Sequence, residues 1–557
     1  MCIRDRDQDE DEWTVEQGDC DDTDANTYPG AVEICDQKDN DCNVLIDDGL
    51  TRQDYYPDGD GDGYGIESET VTSCAAPAGY ADNAADCDDT NSDVYPGAPE
   101  IYSDGIDQDC NGNDPAHIDL NQDGWPDIIM ANHYNSSSGY SVNSTIYWGT
   151  SSGPTASNYR NLPTLGALGV CVNDLNLDGY QDVVFANVYN GSSYNTSSYI
   201  YWGQPGGPTT SNYTALPTYG AQDCAIGDTN ADGWPDLAFS GYYNSSSGYA
   251  SSTMVYYGSS IGFSSSSSVA LASNGNQRVM FNDVNGDGYL DLLQPNHYNN
   301  GNGGNYNQNS NIFWGSGSGL SASNKTALAT IGAWARPAVA DLNGDGYKEV
   351  VFANYYNGST YNVNSYIYWG SASGFVSKTE LSTPGGGGVI ARDLDLDGHI
   401  DLFFLSNYDG DSSTDSPIYW GSASGFSSSD TMLLPGYQPA RFAVADVNQD
   451  GYPDIALANY SDGSSNNIYS YIYLGGATGY SSSRRYSVPT NGAIGVDLFD
   501  VDRDGYGDAV FTGYHNGSTY DTNGYVYYWT GSGYATNVFT SLPTHGGQAT
   551  LVAGDPW

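Results

Sequence analysis

Short apolar runs separated by polar turns recur from about residue 116 to the end of the chain. One unit shows the order. ALGVCVN (Ala167–Asn173) leads into the acidic segment DLNLDGYQD, and VVFANVY (Val183–Tyr189) follows it. The polar loop NGSSYNTS then separates this run from YIYWG (Tyr199–Gly203), and NYTALP closes the unit before a Gly-containing turn. Short runs rich in β-branched and aromatic residues, bounded by Gly, Pro, Asn and Ser, predict four strands per unit. Residues that fill helix surfaces are scarce: Lys numbers four against 70 Gly and 49 Tyr. The class is therefore all-β. No apolar run approaches membrane-spanning length.

The acidic segment sets the period. Asp-x-Asn/Asp-x-Asp-Gly-x-x-Asp/Glu begins at Asp119, Asp174, Asp228, Asp283, Asp341, Asp393, Asp446 and Asp500, at intervals of 55, 54, 55, 58, 52, 53 and 54 residues. Four strands repeated at this period predict a β-propeller over 115–557, with units starting near 115, 166, 220, 275, 333, 385, 438 and 492. About eight blades are expected, seven being the alternative count, with the first strand of each unit innermost. The tail GGQATLVAGD (Gly546–Asp555) repeats a unit's opening. It either pairs with the first unit to close the ring or begins a ninth blade. The period is too short for separate sandwiches, while a solenoid of shorter coils is the competing architecture.

Charge changes the picture. Asp and Glu total 69 against 15 Lys and Arg, a net charge of -54, yet only 15% of residues are charged. The acids are clustered, and clustered carboxylates call for a cation. The same charge disfavours nucleic acid and anionic membranes as partners. In the acidic segment, oxygens at positions 1, 3, 5 and 9 converge and Gly at position 6 allows the turn, a donor set suited to Ca2+ rather than Mg2+. The candidate ligands are Asp119, Asn121, Asp123 and Asp127; Asp174, Asn176, Asp178 and Asp182; Asp228, Asn230, Asp232 and Asp236; and Asp283, Asn285, Asp287 and Asp291. The later copies supply Asp341, Asn343, Asp345 and Glu349; Asp393, Asp395, Asp397 and Asp401; Asp446, Asn448, Asp450 and Asp454; and Asp500, Asp502, Asp504 and Asp508.

The DLNxDGYxD loop together with the YWGSxSG segment resembles FG-GAP/VCBS-type repeats, the calcium-bearing blades of integrin-type propellers and of many bacterial surface proteins. The resemblance implies a calcium-stapled propeller. Before it, over 1–114, GDCDDTDANTYPGAVEICDQKDNDC (Gly18–Cys42) and ADCDDTNSDVYPGAPEIYSDGIDQDC (Ala85–Cys110) resemble the metal-binding motif repeats of large bacterial surface proteins, with Tyr102 in the second copy where Cys35 stands in the first. Between them, DGDGDGYGIESE fits a calcium loop with Asp58, Asp60, Asp62 and Glu69 as ligands. It lacks flanking helical patterns and so reads as a thrombospondin-like acidic loop. Asp7, Asp9 and Asp11 read as a worn copy.

Cysteines crowd this segment, as expected of a small extracellular module held by disulfides and metal. Cys20 and Cys42 occupy the positions of Cys87 and Cys110, which suggests two intra-repeat disulfides; Cys35 and Cys74, each without a counterpart, suggest a third. Sequence leaves the connectivity open. A calcium-stiffened stalk is preferred over a copper or redox role because the ligands are oxygen-rich. The opening MCIRDRDQDEDEW has no apolar core and reads as a non-native lead onto a truncated chain, so the lack of a secretion signal carries no weight.

No Gly-x-Ser-x-Gly, Walker or HExxH pattern occurs. Arg278, Arg336 and Arg441 each stand five residues before their loop Asp, Asp223 holds the same place in the third unit, and Gly does so in units two, six and eight. On innermost strands these side chains would converge near one rim, either to bind a carboxylate or uronate or to pair with nearby Asp. The Tyr/Asn/Ser/Gly loops after each second strand form a second candidate surface. The preferred reading is a monomeric adhesion or recognition module, secreted or on a bacterial cell surface, or part of a longer chain there, for a carbohydrate or protein ligand. The alternative is a propeller-fold uronate lyase using calcium and the rim arginines; scarce Lys weakens it.

Overall fold

The computed structural model describes residues 13–21, 23–36, 38–68, 70–91, 94–95, 110, 117–300 and 304–551. The chain divides between Ala116 and His117 into two compact units. Among the described residues there is no α-helix, and no helix is long and apolar enough to cross a membrane.

The C-terminal unit contains eight four-stranded antiparallel sheets among the described residues, each with its strands in meander order. Blade two is typical: Ala167–Asn173, Asp182–Asn187, Asn195–Tyr201 and Tyr213–Tyr219. First strands of successive blades touch at seven of the eight junctions, so they are the inner ones. Each second strand is buried throughout, as in Asp182–Asn187, which explains its unbroken apolar run. Fourth strands such as Tyr213–Tyr219 alternate buried and exposed positions, as expected at an outer edge. The tail closes the ring: Gly547–Leu551 pairs antiparallel with Ile128–Asn132 and supplies the inner strand of blade one.

Adjacent blades share their cores. Ile129 and Ile146 of blade one pack in one cluster with Val183, Phe185 and Tyr201 of blade two. A repeated hydrogen bond adds direction to this packing. The second Tyr of the YIYWG run donates its hydroxyl to a carbonyl on the fourth strand of the preceding blade, as Tyr201 does to Pro163 at 2.5 Å and Tyr473 to Pro435 at 2.6 Å. Tyr147 of blade one reaches Pro543 of blade eight in the same way, across the closure. Blade four has Phe313 there and makes no such bond. Cys171 and Cys224, on the inner strands of blades two and three, form a disulfide.

The N-terminal unit is built differently. Its described sheet has three short strands, Val71–Ser73, Gln53–Pro57 and Tyr80–Ala81. Its buried hydrophobic side chains among the described residues are Tyr55, Ala81 and Val94. Disulfides Cys20–Cys42, Cys35–Cys74 and Cys87–Cys110 hold it, the pairing that the internal repeat suggests.

Candidate metal centres and a tyrosine-lined face

Seven of the acidic loops join first to second strands, and the Asp119 loop leads into the second strand of blade one, whose first strand is the C-terminal Gly547–Leu551, so all eight lie on one face of the ring. Their backbone wraps alike. Position 4 is left-handed in every copy, with φ between 55° and 70°, although only Gly286 and Gly344 are glycines there. The position 1 carboxylate holds this turn with both oxygens: Asp119 Oδ1 accepts from the Asp123 amide at 3.1 Å and Oδ2 from the Gly124 amide at 2.6 Å. In the sixth loop, carboxylate oxygens of Asp393, Asp395 and Asp401 all lie within 4.8 Å of one another.

Position 9 is fully buried. Asp127 is 0% exposed; its Oδ1 accepts from Gly149 at 2.8 Å and its Oδ2 from Leu120 at 2.9 Å. The other copies repeat these two bonds, which tie loop to blade; Glu349, one carbon longer, accepts from Leu342 and Gly370. Burial pushes Asp127 up to about 8, Asp508 to about 9, and Asp182, Asp291, Glu349, Asp401 and Asp454 to about 7, the amide bonds opposing and neighbouring loop acids adding to the rise. Asp236 is shifted the same way. Such a site resists ionisation by itself, and a hard cation at the loop would reverse that. The donors fit one: they are oxygens, and Asp395 Oδ1 and Asp502 Oδ1 are buried without a hydrogen-bond partner.

The N-terminal loop gathers Asp58, Asp60 and Asp62, with oxygens within 4.8 Å. Glu69 lies outside the described residues, as do Asp7, Asp9 and Asp11. A residue that the sequence pattern missed joins this cluster. Asp86, from the second cysteine motif, donates its amide to Gly65 O at 3.0 Å. Its carboxylate repels Asp62, whose value burial raises to about 6. Asp60 Oδ2, Asp62 Oδ2 and Asp86 Oδ2 are all buried without partners. Glu33, Asp41 and Asp48 form another close carboxylate group in the first motif.

The rim residues converge in part. Arg336 Nε and Nη2 donate to Asp223 Oδ2 and Oδ1 at 3.0 and 2.9 Å, a bidentate pair with side chains 15% and 8% exposed. Arg278 Nη1 donates to Gln222 O at 3.3 Å and its charge helps hold Asp223 low against burial. Three consecutive blades thus meet in one charge-compensated cluster. Arg441 lies on the blade-seven strand Pro439–Ala445.

On the opposite face, the loops joining second to third strands carry a belt of tyrosines. Tyr520, Tyr134, Tyr140, Tyr189, Tyr194, Tyr243, Tyr249, Tyr298, Tyr306, Tyr356, Tyr361 and Tyr408 follow one another with ring centroids 4.5–5.1 Å apart. Most contacts are tilted or edge-to-face, the favoured geometry. Tyr514 continues the belt through Tyr520 at 5.1 Å and reaches Tyr460 at 6.2 Å, but no ring contact joins Tyr408 to Tyr460 among the described residues. Beside this break lies a cavity of about 430 Å³ lined by Tyr355, Asn407, Tyr408, Gln438, Ala440, Tyr460, Ile494, Tyr514 and Gln548. His133 is half-buried with its ring edge-on to Tyr140, and the loss of solvent pushes its pKa down to about 4.

Comparison with known proteins follows the same division of the chain. A family model described as FG-GAP-like repeat matches residues 119–185, 174–239, 341–404, 393–457 and 446–511, together more than half of the chain. A model for the Cu-binding MopE metal-binding motif matches residues 19–48 and 86–114. No curated protein matches the chain. Among solved structures, the crystal structure of a protein from Lactobacillus plantarum is similar at 10% identity and a TM-score of 0.41, over 77% of this chain and 99% of that one.

Proposed function

The chain belongs to the FG-GAP-like repeat family, and on that premise we propose that it is an extracellular, calcium-binding recognition module for a carbohydrate or protein ligand. The observation that carries the reading is the contrast between its two faces: acidic loops stapling every blade on one, a wet aromatic surface on the other. In each blade loop, positions 1, 3, 5 and 9 would hold Ca2+, and the ion would supply the positive charge that lets the buried position 9 carboxyl ionise. In the N-terminal unit, Asp58, Asp60, Asp62 and Asp86 would hold another. The family matched there is named for copper, but its donors in this chain are carboxylates, and Cys20, Cys35, Cys42, Cys74, Cys87 and Cys110 are spent in disulfides. That set favours a hard cation over copper. The disulfides also suit an oxidising, extracellular setting.

The uronate-lyase reading is less well supported. Arg336, which would face the substrate carboxylate, is engaged by Asp223 through Nε and Nη2, and a bidentate pair of this kind leaves little charge to offer. The test is to present calcium-loaded chain to a panel of extracellular polysaccharides and proteins, with and without chelator. Saturable binding that weakens on chelation is expected. Binding to no member of the panel, or steady release of unsaturated uronate ends, would contradict the proposal.

A further inference from the structure

The belt breaks at one place, and several departures from the repeat coincide there. Ser412 and Asn466 stand where the other blades carry the second belt tyrosine, and Ser461 stands where blades one to six carry the first. The turn between blades is altered at the same spot. At the seven other junctions a glycine (166, 220, 275, 332, 385, 492 or 546) is left-handed, with φ of 52–62°. Its amide donates to the carbonyl of the second belt position, as Gly332 does to Tyr306 at 2.7 Å. A Cβ on Gly332 would come within 2.5 Å of the Tyr356 carbonyl oxygen in the next blade.

Gln438 occupies the eighth junction. It donates in the same way, to Ser412 O at 3.0 Å, and it too is left-handed, with φ of 43°. A side chain here carries strain that glycine avoids, and such strain concentrates at functional positions. Its side chain lines the 430 Å³ cavity together with Asn407, Gln548 and four tyrosines. The strained amide thus lines a hollow whose wall includes Tyr408 and Tyr460, the tyrosines on either side of the break.

We infer that this cavity is the ligand site, and that it takes an uncharged saccharide unit of an extracellular polymer; the inference rests on the recognition reading above. Its volume falls in the range of small-molecule sites. Tyrosine offers apolar ring faces for the C–H surfaces of a sugar and a hydroxyl at the rim. Asn and Gln amides donate and accept at once, which matches hydroxyl groups that do the same. An anionic sugar lacks a counter-charge there: none of the lining residues is charged, Arg336 is paired with Asp223, and the chain carries a net charge of -54.

The experiment uses the full calcium-loaded chain on an array of neutral glycans, uronate polymers and extracellular proteins, followed by titration calorimetry with the best neutral glycan. Gln438→Gly is the informative variant, since it installs the residue found at every other junction and should fold with an unchanged or higher Tm. It is expected to bind about tenfold more weakly, the loss of roughly one good hydrogen-bonding group, with Tyr460→Ala and Gln548→Ala weaker still or equal. Retention of wild-type affinity by all three variants would overturn the inference. So would array signal confined to uronates or to proteins, which would leave the broader recognition reading standing. Binding to nothing would remove both.

Discussion

The propeller and the N-terminal unit solve the problem of stability with different materials. In the propeller, second strands such as Asp182–Asn187 are buried end to end, and neighbouring blades share clusters such as Ile129, Val183 and Phe185. Closure through Gly547–Leu551 leaves no blade without a neighbour. In the N-terminal unit the described apolar core amounts to Tyr55, Ala81 and Val94, while three disulfides and two carboxylate clusters do the tying. A segment this poor in core cannot offset its chain entropy by burial alone. On the cation-binding proposal, acidic loops would therefore mean different things in the two places: reinforcement in the blades, and a condition of folding in the N-terminal unit.

The largest effect that would break or confirm this contrast is selective unfolding. Reductant and chelator together should abolish protection before residue 117 while the blades stay folded, because losing a native disulfide from a small domain costs about 2–5 kcal/mol each. Limited proteolysis checks it: cuts confined to the N-terminal unit are expected, and equal cutting in both units would erase the distinction. Next comes Asp223→Ala. Leaving Arg336 buried without its partner should cost about 3–5 kcal/mol, read as a drop in the urea midpoint, whereas a change under 1 kcal/mol (about the scale of an exposed pair) would mean the cluster is solvated. Cys171→Ser removes the blade-two to blade-three bridge and should cost about 2–4 kcal/mol, less than the same change does to the N-terminal unit relative to its total. Smallest and most specific is a change of sign with pH. The position 9 carboxyls have folded values of about 7 to 9, above the ordinary 3.8. In chelator they stabilise the fold fully below pH 3.8 and lose that contribution as pH rises through 7 to 9. Calcium favours the ionised form, so at saturation Tm should be level or rise over the same range. Parallel curves with and without calcium would contradict cation binding at these carboxyls.

How much of this was legible in the sequence depends on whether a feature is local. The loop at Asp119 and its seven copies declare themselves because their positions lie within nine residues and recur at one period. Strand order follows from the same regularity. The three N-terminal disulfides could be read from two aligned motifs, but the Cys171–Cys224 bridge could not, since it depends on inner strands of two blades lying side by side. Asp86 was missed for a related reason: it joins Asp58, Asp60 and Asp62 from another motif, with no spacing rule to announce it. The convergence of Asp223, Arg278 and Arg336 was visible as a shared register, while their mutual neutralisation needed the distances. In sequence the Tyr/Asn/Ser/Gly loops read as an adaptable contact surface, one per blade. Only ring closure shows that Tyr134 to Tyr520 form one belt, and that Gln438, Ser412, Ser461 and Asn466 interrupt it together.

The central claim is that one hard cation per blade loop completes a fold whose buried carboxyls otherwise resist ionisation. Hydrogen–deuterium exchange of the full chain across a calcium titration tests it most directly. Binding to the native state alone adds about 3 kcal/mol per site at a hundredfold excess over Kd. Calcium should therefore slow exchange at the loop amides, Gly124, Gly149 and their counterparts in the other seven blades, far more than in the buried second strands. Equal exchange at those amides with and without calcium, at a Tm that does not move, would contradict the account.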